Sequence, residues 1–284
     1  YPVLVKAAAG GGGIGMRRVD DGATLADVVA KTQSMAERSF GDGTVYLERY
    51  VARARHVEVQ IFGFGNGKAV HLFDRDCSVQ RRFQKVIEEA PAPDLPDAVR
   101  NAMHTAAVQL AEAVSYAGAG TVEFIYDVDR KDFSFLEMNT RIQVEHPVTE
   151  MITGVDLVQW QIEQAGGVLT PVDQSSITQQ GHAIEARIYA ERPEKNFLPS
   201  PGQITELVWP TARDGLRIDH AMRPGDTITP FYDPMIAKII TKAPDRDAAT
   251  ARLDAALSEL KISGPSTNTA FLRHILKSPE FQSA

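Results

Sequence analysis

The stretch Phe133-Ser134-Phe135-Leu136-Glu137-Met138-Asn139-Thr140-Arg141-Ile142-Gln143-Val144-Glu145-His146-Pro147 says more about fold and chemistry than any other part of the chain. Phe133 to Met138 reads as the second arm of a hairpin, Thr121 to Tyr126 as the first, with the turn at Asp127–Asp132. Glu123 lies in the first arm. Glu137 and Asn139 stand at i and i+2 on the second, so they share a face about 7 Å apart by strand rise. Val122, Phe124, Phe135, Leu136 and Met138 flank them. Carboxylates among such neighbours are costly to bury unless paired or bound to a cation. Two Glu and an Asn are hard oxygen donors, suited to Mg²⁺ or Mn²⁺ held jointly with a nucleotide phosphate. The plainer alternative is a salt bridge to Arg141 or Lys85.

Beyond Asn139, an extended chain puts Arg141, Gln143 and Glu145 on the face of Asn139. A cation, an amide and a carboxylate then sit beside the candidate metal site. Arg141 can bind an oxyanion substrate while Glu145 serves as general base. A polar loop tied by an Arg141–Glu145 pair is the alternative. His146 reads as structural, because Pro147 fixes the backbone beside it.

Upstream, Tyr1 to Lys6 reads as a short strand that runs into Gly10-Gly11-Gly12-Gly13-Ile14-Gly15. Four consecutive glycines cost too much entropy to order as helix or strand, so a flexible loop is expected, with Met16 to Val19 returning as a strand. Bare N–H groups in such a loop, with Lys6 adjoining, can fold over phosphates. An exposed hairpin tip is the alternative. Thr24 to Asp27 resembles a capping box, and the helix it opens can stop at Gly41. Strands follow at Thr44–Tyr50, His56–Gln60 and Lys68–Phe73. In the second of these Val57, Val59 and Ile61 point one way and His56, Glu58 and Gln60 the other. The run Ser78 to Glu89, with Arg81, Arg82 and Lys85, can receive polyphosphate or form a solvated charged helix or loop. Helices are expected at Ala98–Tyr116, broken by Gly118–Gly120, and at Val155–Ala165, Arg246–Leu260 and Thr267–Lys277. Strands are expected near Ala183–Tyr189 and Ile236–Thr241. Thr170 to Gln180 is polar and irregular. Long hairpins followed by helices indicate α+β. Arg187, alone in its strand, reads as a surface or paired residue.

The 284 residues allow one large domain or two smaller ones. The formal net charge of -7 disfavours a general nucleic-acid binder, and no apolar run is long enough for a membrane span. A single cysteine, Cys77, permits no intramolecular disulfide, which fits the cytoplasm. Tyr1 starts in mid-strand without an initiator Met, so an upstream part is expected.

Several stretches together resemble the ATP-grasp family and, within it, the biotin carboxylases. They are Lys6 before the glycine loop, Arg75-Asp76-Cys77-Ser78-Val79-Gln80-Arg81-Arg82, Gln84-Lys85, Glu88-Glu89-Ala90-Pro91 and Glu137 through Glu150. Gly181 to Arg187 and Phe197-Leu198-Pro199-Ser200-Pro201-Gly202 extend the likeness over nearly the whole chain. The resemblance implies an α+β ATP-grasp fold with antiparallel sheets. Residues 1–50 would be the lid, 51–170 the catalytic part and 171–284 the C-terminal biotin carboxylase extension, with a Rossmann-like domain before Tyr1.

The implied reaction is ATP- and bicarbonate-dependent carboxylation of biotin on a biotin carboxyl carrier protein, the first half-reaction of an acyl-CoA carboxylase such as the acetyl-CoA carboxylase of fatty acid biosynthesis. By resemblance Glu145 is the base, and Lys85, Arg141, Gln143 and Val144 bind bicarbonate beside it. Arg187 stabilises the biotin oxyanion. Lys6, Gly12, Gly13, Glu48, Arg49, Tyr50, Val51, His56, Gln80, Glu123 and Glu137 contact ATP. Glu123, Glu137 and Asn139 hold Mg²⁺ or Mn²⁺. Phe83 stands where many relatives carry His, and Arg49 where Lys is common. The implied partners are the carrier, a carboxyltransferase and a second copy in a homodimer. The competing readings are another bicarbonate-activating ligase, of the carbamoyl-phosphate synthase kind, and a non-catalytic assembly module. Arg187 and the 197–202 segment favour biotin over the first, and Glu145, Arg141, Lys85 and Arg187 favour catalysis over the second.

Overall fold

Residues 1–9, 15–81 and 84–283 are described by the computed structural model; the expectations for Gly12, Gly13 and Phe83 lie outside them. The chain forms two units, 1–54 and 55–284.

In the first unit, β1 (Val3–Ala7) lies between β2 (Arg17–Val19) and β3 (Val45–Arg49), both antiparallel to it. Helix α1 (Leu25–Phe40) buries Ala36 with Val5 and Val19. It ends where expected, at Gly41, whose φ of 73° suits a residue without Cβ. Its start differs from expectation: Thr24 makes no side-chain cap bond, because its backbone is already helical and an N-cap needs an extended one.

The second unit is organised by β4 (Ala54–Phe64), β5 (Ala69–Arg81), β6 (Gln84–Ala90), β7 (Ala117–Asp127), β8 (Asp132–Asn139) and β9 (His182–Tyr189). The short strands β10 (Glu191–Arg192), β11 (Leu198–Pro199), β12 (Gly202–Gln203) and β13 (Glu206–Val208) follow, then β14 (Leu216–His220), β15 (Thr227–Ile228), β16 (Met235–Ala243) and β17 (Lys261–Ser263). Eight of them form one sheet in the order β14-β16-β9-β6-β5-β4-β7-β8. The helices are α2 (Asp97–Ala113), α3 (His146–Thr153), α4 (Leu157–Ala165), α5 (Arg246–Glu259), α6 (Thr269–Leu276) and α7 (Pro279–Gln282).

Period-two alternation decides what each face carries. On β4, Val57, Val59 and Ile61 pack with Met103 and Ala107 of α2 and Phe124 of β7. Glu58 and Gln60 take the other face, and that face is buried too. All eight residues of β9 are buried. Ile184, Ala186 and Ile188 join Leu253 and Leu257 of α5, Leu272 of α6 and Phe281 of α7 in the largest core. Ala183 joins Ala90, Ile240 and the α3 residues Val148 and Ile152 on the opposite face. Each large aliphatic side chain so buried contributes about 1.5–3 kcal/mol.

Three expectations are corrected. Gly118 and Gly120 lie inside β7 rather than in a break before it; Gly120 is needed because a Cβ there would meet the Tyr116 ring at 2.8 Å. The described residues of the run 78–89, which are 78–81 and 84–89, are neither a solvated helix nor an exposed loop: β5 and β6 pair antiparallel with Gln80 opposite Lys85, and Glu88 and Glu89 are buried. The chain also leaves the sheet after Asn139 and turns into α3, so 140–145 does not continue as a strand.

Candidate active site

The chemistry concentrates beneath the N-terminus of α3. Glu145 occupies its N-cap position, with Pro147 in the first turn, where a missing N–H costs nothing. Lys238 of β16 donates from Nζ to the Val144 carbonyl at 2.8 Å and fixes the approach to that turn. The Glu145 carboxylate then reaches two cations: Lys85 Nζ at 2.6 Å on Oε1 and Arg187 Nη2 at 3.0 Å on Oε2. Lys85 also meets Glu58 at 2.7 Å and Glu123 at 3.0 Å. Arg187 donates through Nε to Glu88 at 2.6 Å. Its backbone is held as well, since Asn268 donates to the Arg187 carbonyl at 3.0 Å and accepts from the Tyr189 N–H at 2.9 Å.

Below this lies Arg75, 0% exposed like its partner Glu58 at 2.6 Å. Its guanidinium also donates to Gln60, Thr149, Thr121 and Gln143. Gln143 in turn donates to Glu123 at 2.9 Å. A guanidinium in such a place needs every donor matched, because an uncompensated buried charge is strongly destabilising.

Burial raises the carboxyls of Glu58 and Glu123, but cations outweigh it. Lys85 and Arg75 hold Glu58 at about 2, and His56 with Lys85 holds Glu123 at about 2. Burial alone would lower Lys85 and Arg187, yet the surrounding carboxylates hold both well above their ordinary values. The cations are therefore permanently charged at neutral pH. His56 sits 3.1 Å from Glu123 and is raised: burial opposes its charge, and Glu123 and Glu58 overcome that. Its other ring nitrogen meets Gln80 at 3.0 Å. Cys77, fully buried beside Glu58 and Glu145, is pushed well above the ordinary thiol range by burial first and those carboxylates second, so it stays a thiol.

The strip after β8 is different. Register sets Glu137 directly opposite Glu123, with a bulge immediately beyond. Glu137 is exposed, so of the two carboxylates only Glu123 is buried, and its partner is Lys85, the plainer alternative of the sequence. Asn139 lies 3.5 Å from Glu137 Oε1. Arg141 is exposed and donates to the Ile142 carbonyl at 3.1 Å and to Asn139 at 3.4 Å. The alternative of an Arg141–Glu145 tie is not realised: Glu145 meets Lys85 and Arg187, because the turn into α3 carries it inward, and Arg141 is exposed. His146 is structural as expected, its Nδ1 2.8 Å from the Gln143 carbonyl.

In the first unit Lys6 is paired with Glu48 at 3.0 Å across β1 and β3. Burial lowers Lys6 and Glu48 outweighs it, so Lys6 is raised. Arg49 ends β3, and Tyr50 and Val51 follow it.

Sequence reasoning passed over Arg75, Glu58, Glu88, Glu185 and Lys238. The signal was there for Glu58 and Glu185, each a single acid between apolar neighbours in a strand. Arg187, which pattern alone reads as a surface or paired residue, is buried and paired with Glu88 and Glu145. Together the residues offer a carboxylate clamped between two cations, an amide beside it, and an open acidic strip at the rim. That combination can hold a small oxyanion, take its proton, and meet divalent cations with phosphate.

Residues 1–171 match the carbamoyl-phosphate synthase L chain, ATP binding domain, and residues 185–284 match the biotin carboxylase C-terminal domain. Biotin carboxylase 1 of Bacillus subtilis is 49% identical over 283 residues, which is 100% of this chain and 63% of that protein. The mitochondrial methylcrotonoyl-CoA carboxylase subunit alpha of Dictyostelium discoideum is 50% identical over 281 residues, 99% of this chain and 40% of that protein. The biotin carboxylase domain of Hydrogenobacter thermophilus 2-oxoglutarate carboxylase, solved with MgADP, ADP and bicarbonate, superposes with a TM-score of 0.92 at 44% identity, covering 100% of this chain and 62% of that one. The chain therefore spans 40–63% of these relatives. With its ATP-grasp α+β fold, the chain belongs to the family of the carbamoyl-phosphate synthase L chain ATP-binding domain, joined here to a biotin carboxylase C-terminal domain.

Proposed function

We propose that this chain carries out ATP- and bicarbonate-dependent carboxylation of biotin, and the observation that carries the reading is Glu145 held between Lys85 and Arg187. Bicarbonate is a weak electrophile and must be activated. Glu145 takes its proton while Lys85, Arg141, Gln143 and the Val144 N–H hold its oxygens. The freed oxygen attacks the γ-phosphorus of ATP, the bond to ADP breaks, and carboxyphosphate forms. Its collapse gives CO₂ and phosphate. The phosphate accepts the ureido proton of biotin, the nitrogen attacks CO₂, and Arg187 stabilises the negative oxygen that develops on the ureido ring.

Glu137, opposite Glu123, and Asn139 two residues on offer with it the hard oxygen set that Mg²⁺ or Mn²⁺ requires. The ion, when bound, neutralises triphosphate charge and orients it for in-line attack. His56 and Gln80 are assigned to nucleotide in the second unit. In the first, Lys6, Gly12 and Gly13 are assigned to phosphates, and Glu48 with the Arg49, Tyr50 and Val51 backbone to adenine. The roles divide as lid (1–50), nucleotide and metal face (51–170) and biotin side (171–284). The match over residues 185–284 supports biotin rather than a carbamoyl-phosphate product.

The carboxyl carrier and a carboxyltransferase are the expected partners, in a homodimer or larger complex. A cytoplasmic setting fits the single buried thiol, and an acyl-CoA such as acetyl-CoA is the proposed final acceptor. The test is bicarbonate-dependent ATP hydrolysis by the full-length protein with and without free biotin. Stimulation by biotin is expected. Nucleotide binding without any such stimulation would overturn the reading.

A further inference from the structure

Beside Arg187 lies a buried acid that none of these steps uses. Glu185 lies on β9 two residues before Arg187, 0% exposed, and among the described residues neither of its carboxyl oxygens meets a hydrogen-bond donor. Directly across the β6–β9 ladder stands Glu88, also 0% exposed, with Oε2 likewise unmatched. Cross-strand partners carry their Cβ atoms about 4.5–5.5 Å apart on one face, so two acids are side by side inside the protein.

The charged groups that act most strongly on Glu185 come from four elements. From β6 there is Glu88; from its own strand Arg187; from β16 Lys238; from the start of α3 Glu145. Apolar residues on the same side of the sheet include Ala90, Ala183, Ile240, Val148 and Ile152. Both cations are engaged elsewhere. Arg187 holds Glu88 and Glu145, and Lys238 holds the Val144 carbonyl and Asp219 at 3.3 Å. An ionised Glu185 would have no cation of its own and an acid as its neighbour, a state that burial makes prohibitive.

We propose that Glu185 is a neutral acid which shares one proton with Glu88 across the ladder and so acts as a positioning residue for Arg187. The proton lets Glu88 present a single charged oxygen to Arg187 Nε, and the guanidinium keeps its Nη2 on Glu145. Burial pushes Glu185 far up and Glu88 up to about 7, in keeping with one proton between them. The positioning role rests on the biotin carboxylation reading; the shared proton does not.

The two parts are tested separately on the full-length protein. Infrared difference spectroscopy in H₂O and D₂O at neutral pH is expected to show the carbonyl stretch of a protonated carboxyl in the wild type and to lose it in Glu185→Gln. No such band in the wild type overturns the proposal, whether or not any variant folds. A band that persists unchanged in Glu185→Gln overturns it too. In turnover, Glu185→Ala is expected to lower biotin-stimulated kcat by about 10–100-fold through misplacement of Arg187, with little change in KM for ATP. Glu185→Gln, which keeps the shape and the donor, restores it. Equal loss in both variants overturns the positioning role. A wild type with the band but without biotin stimulation sinks the carboxylase reading and leaves the shared proton standing.

Discussion

The buried centre around Lys85, Arg75 and Arg187 and the exposed strip from Glu137 to Arg141 are opposites in construction. In the centre each guanidinium and ammonium meets two or more fixed acceptors at 2.6–3.1 Å. On the strip the side-chain contacts are local, 3.1–3.5 Å, and open to water. The first is assembled by folding and owes nothing to a ligand. The second has charge to spare and gains its geometry when an ion and an anion arrive. A site built this way keeps its base and cations preorganised, where reorganisation would slow chemistry, and leaves loose the groups that must let substrates in and out.

Substitution measures the contrast most directly. Arg75→Met takes one of the two cations from buried Glu58, unties Gln60, Thr121, Gln143 and Thr149, and is expected to cost about 3–5 kcal/mol of stability. Arg141→Ala is expected to move stability by no more than about 0.5 kcal/mol. Denaturant midpoints of the two variants decide it, and similar values would erase the distinction. Next in size, Glu145→Gln is expected to reduce bicarbonate-dependent ATP turnover by about 10²–10⁴-fold, with nucleotide affinity nearly intact. An unchanged rate would take the base away from Glu145.

Acid provides a third probe. Glu58 and Glu123, held at about 2, contribute stability that is complete above the ordinary carboxylate value of about 4.3 and is lost as pH falls from there to about 2. Glu88, raised to about 7, has the opposite sign and weakens the fold as pH rises from about 4.3 toward 7. Unfolding followed across that range should therefore show a steep acid limb, and Glu58→Gln should flatten it. The smallest stability effect is expected for Glu137→Gln: within about 0.5 kcal/mol, but with several-fold more Mg²⁺ needed for half-maximal nucleotide binding. Metal titration followed by nucleotide fluorescence reads the difference.

Legibility in the sequence follows the same divide. The β7–β8 hairpin, which sets Glu123 opposite Glu137, and α2 were readable because local pattern places them. The paired strands β5 and β6 were not: Gln80, Arg81, Lys85, Glu88 and Glu89 look like a solvated run until their partners appear. Those partners are remote, with Glu145 60 residues from Lys85 and Glu88 99 residues from Arg187. A charged side chain is buried only when the fold supplies its counterpart, and no window of sequence contains both. The turn after Asn139 was missed for a related reason. The residues 139–145 suit an extended chain locally, and it is the packing of Val148 and Ile152 onto β9 and β16 that draws them into α3.

The pairing of β6 with β9, from Ile87↔Ala186 to Ala90↔Ala183, joins what comes before residue 170 to what comes after it. A cut in that polar linker looks harmless on paper. It would leave two halves, each ending in a bare row of amides and carbonyls and ready to template aggregation. Soluble protein is then expected only when the halves are made together. Exchange of the C-terminal half between homologues would succeed only where the incoming β9 carries an acid that its new neighbour on β6 can tolerate.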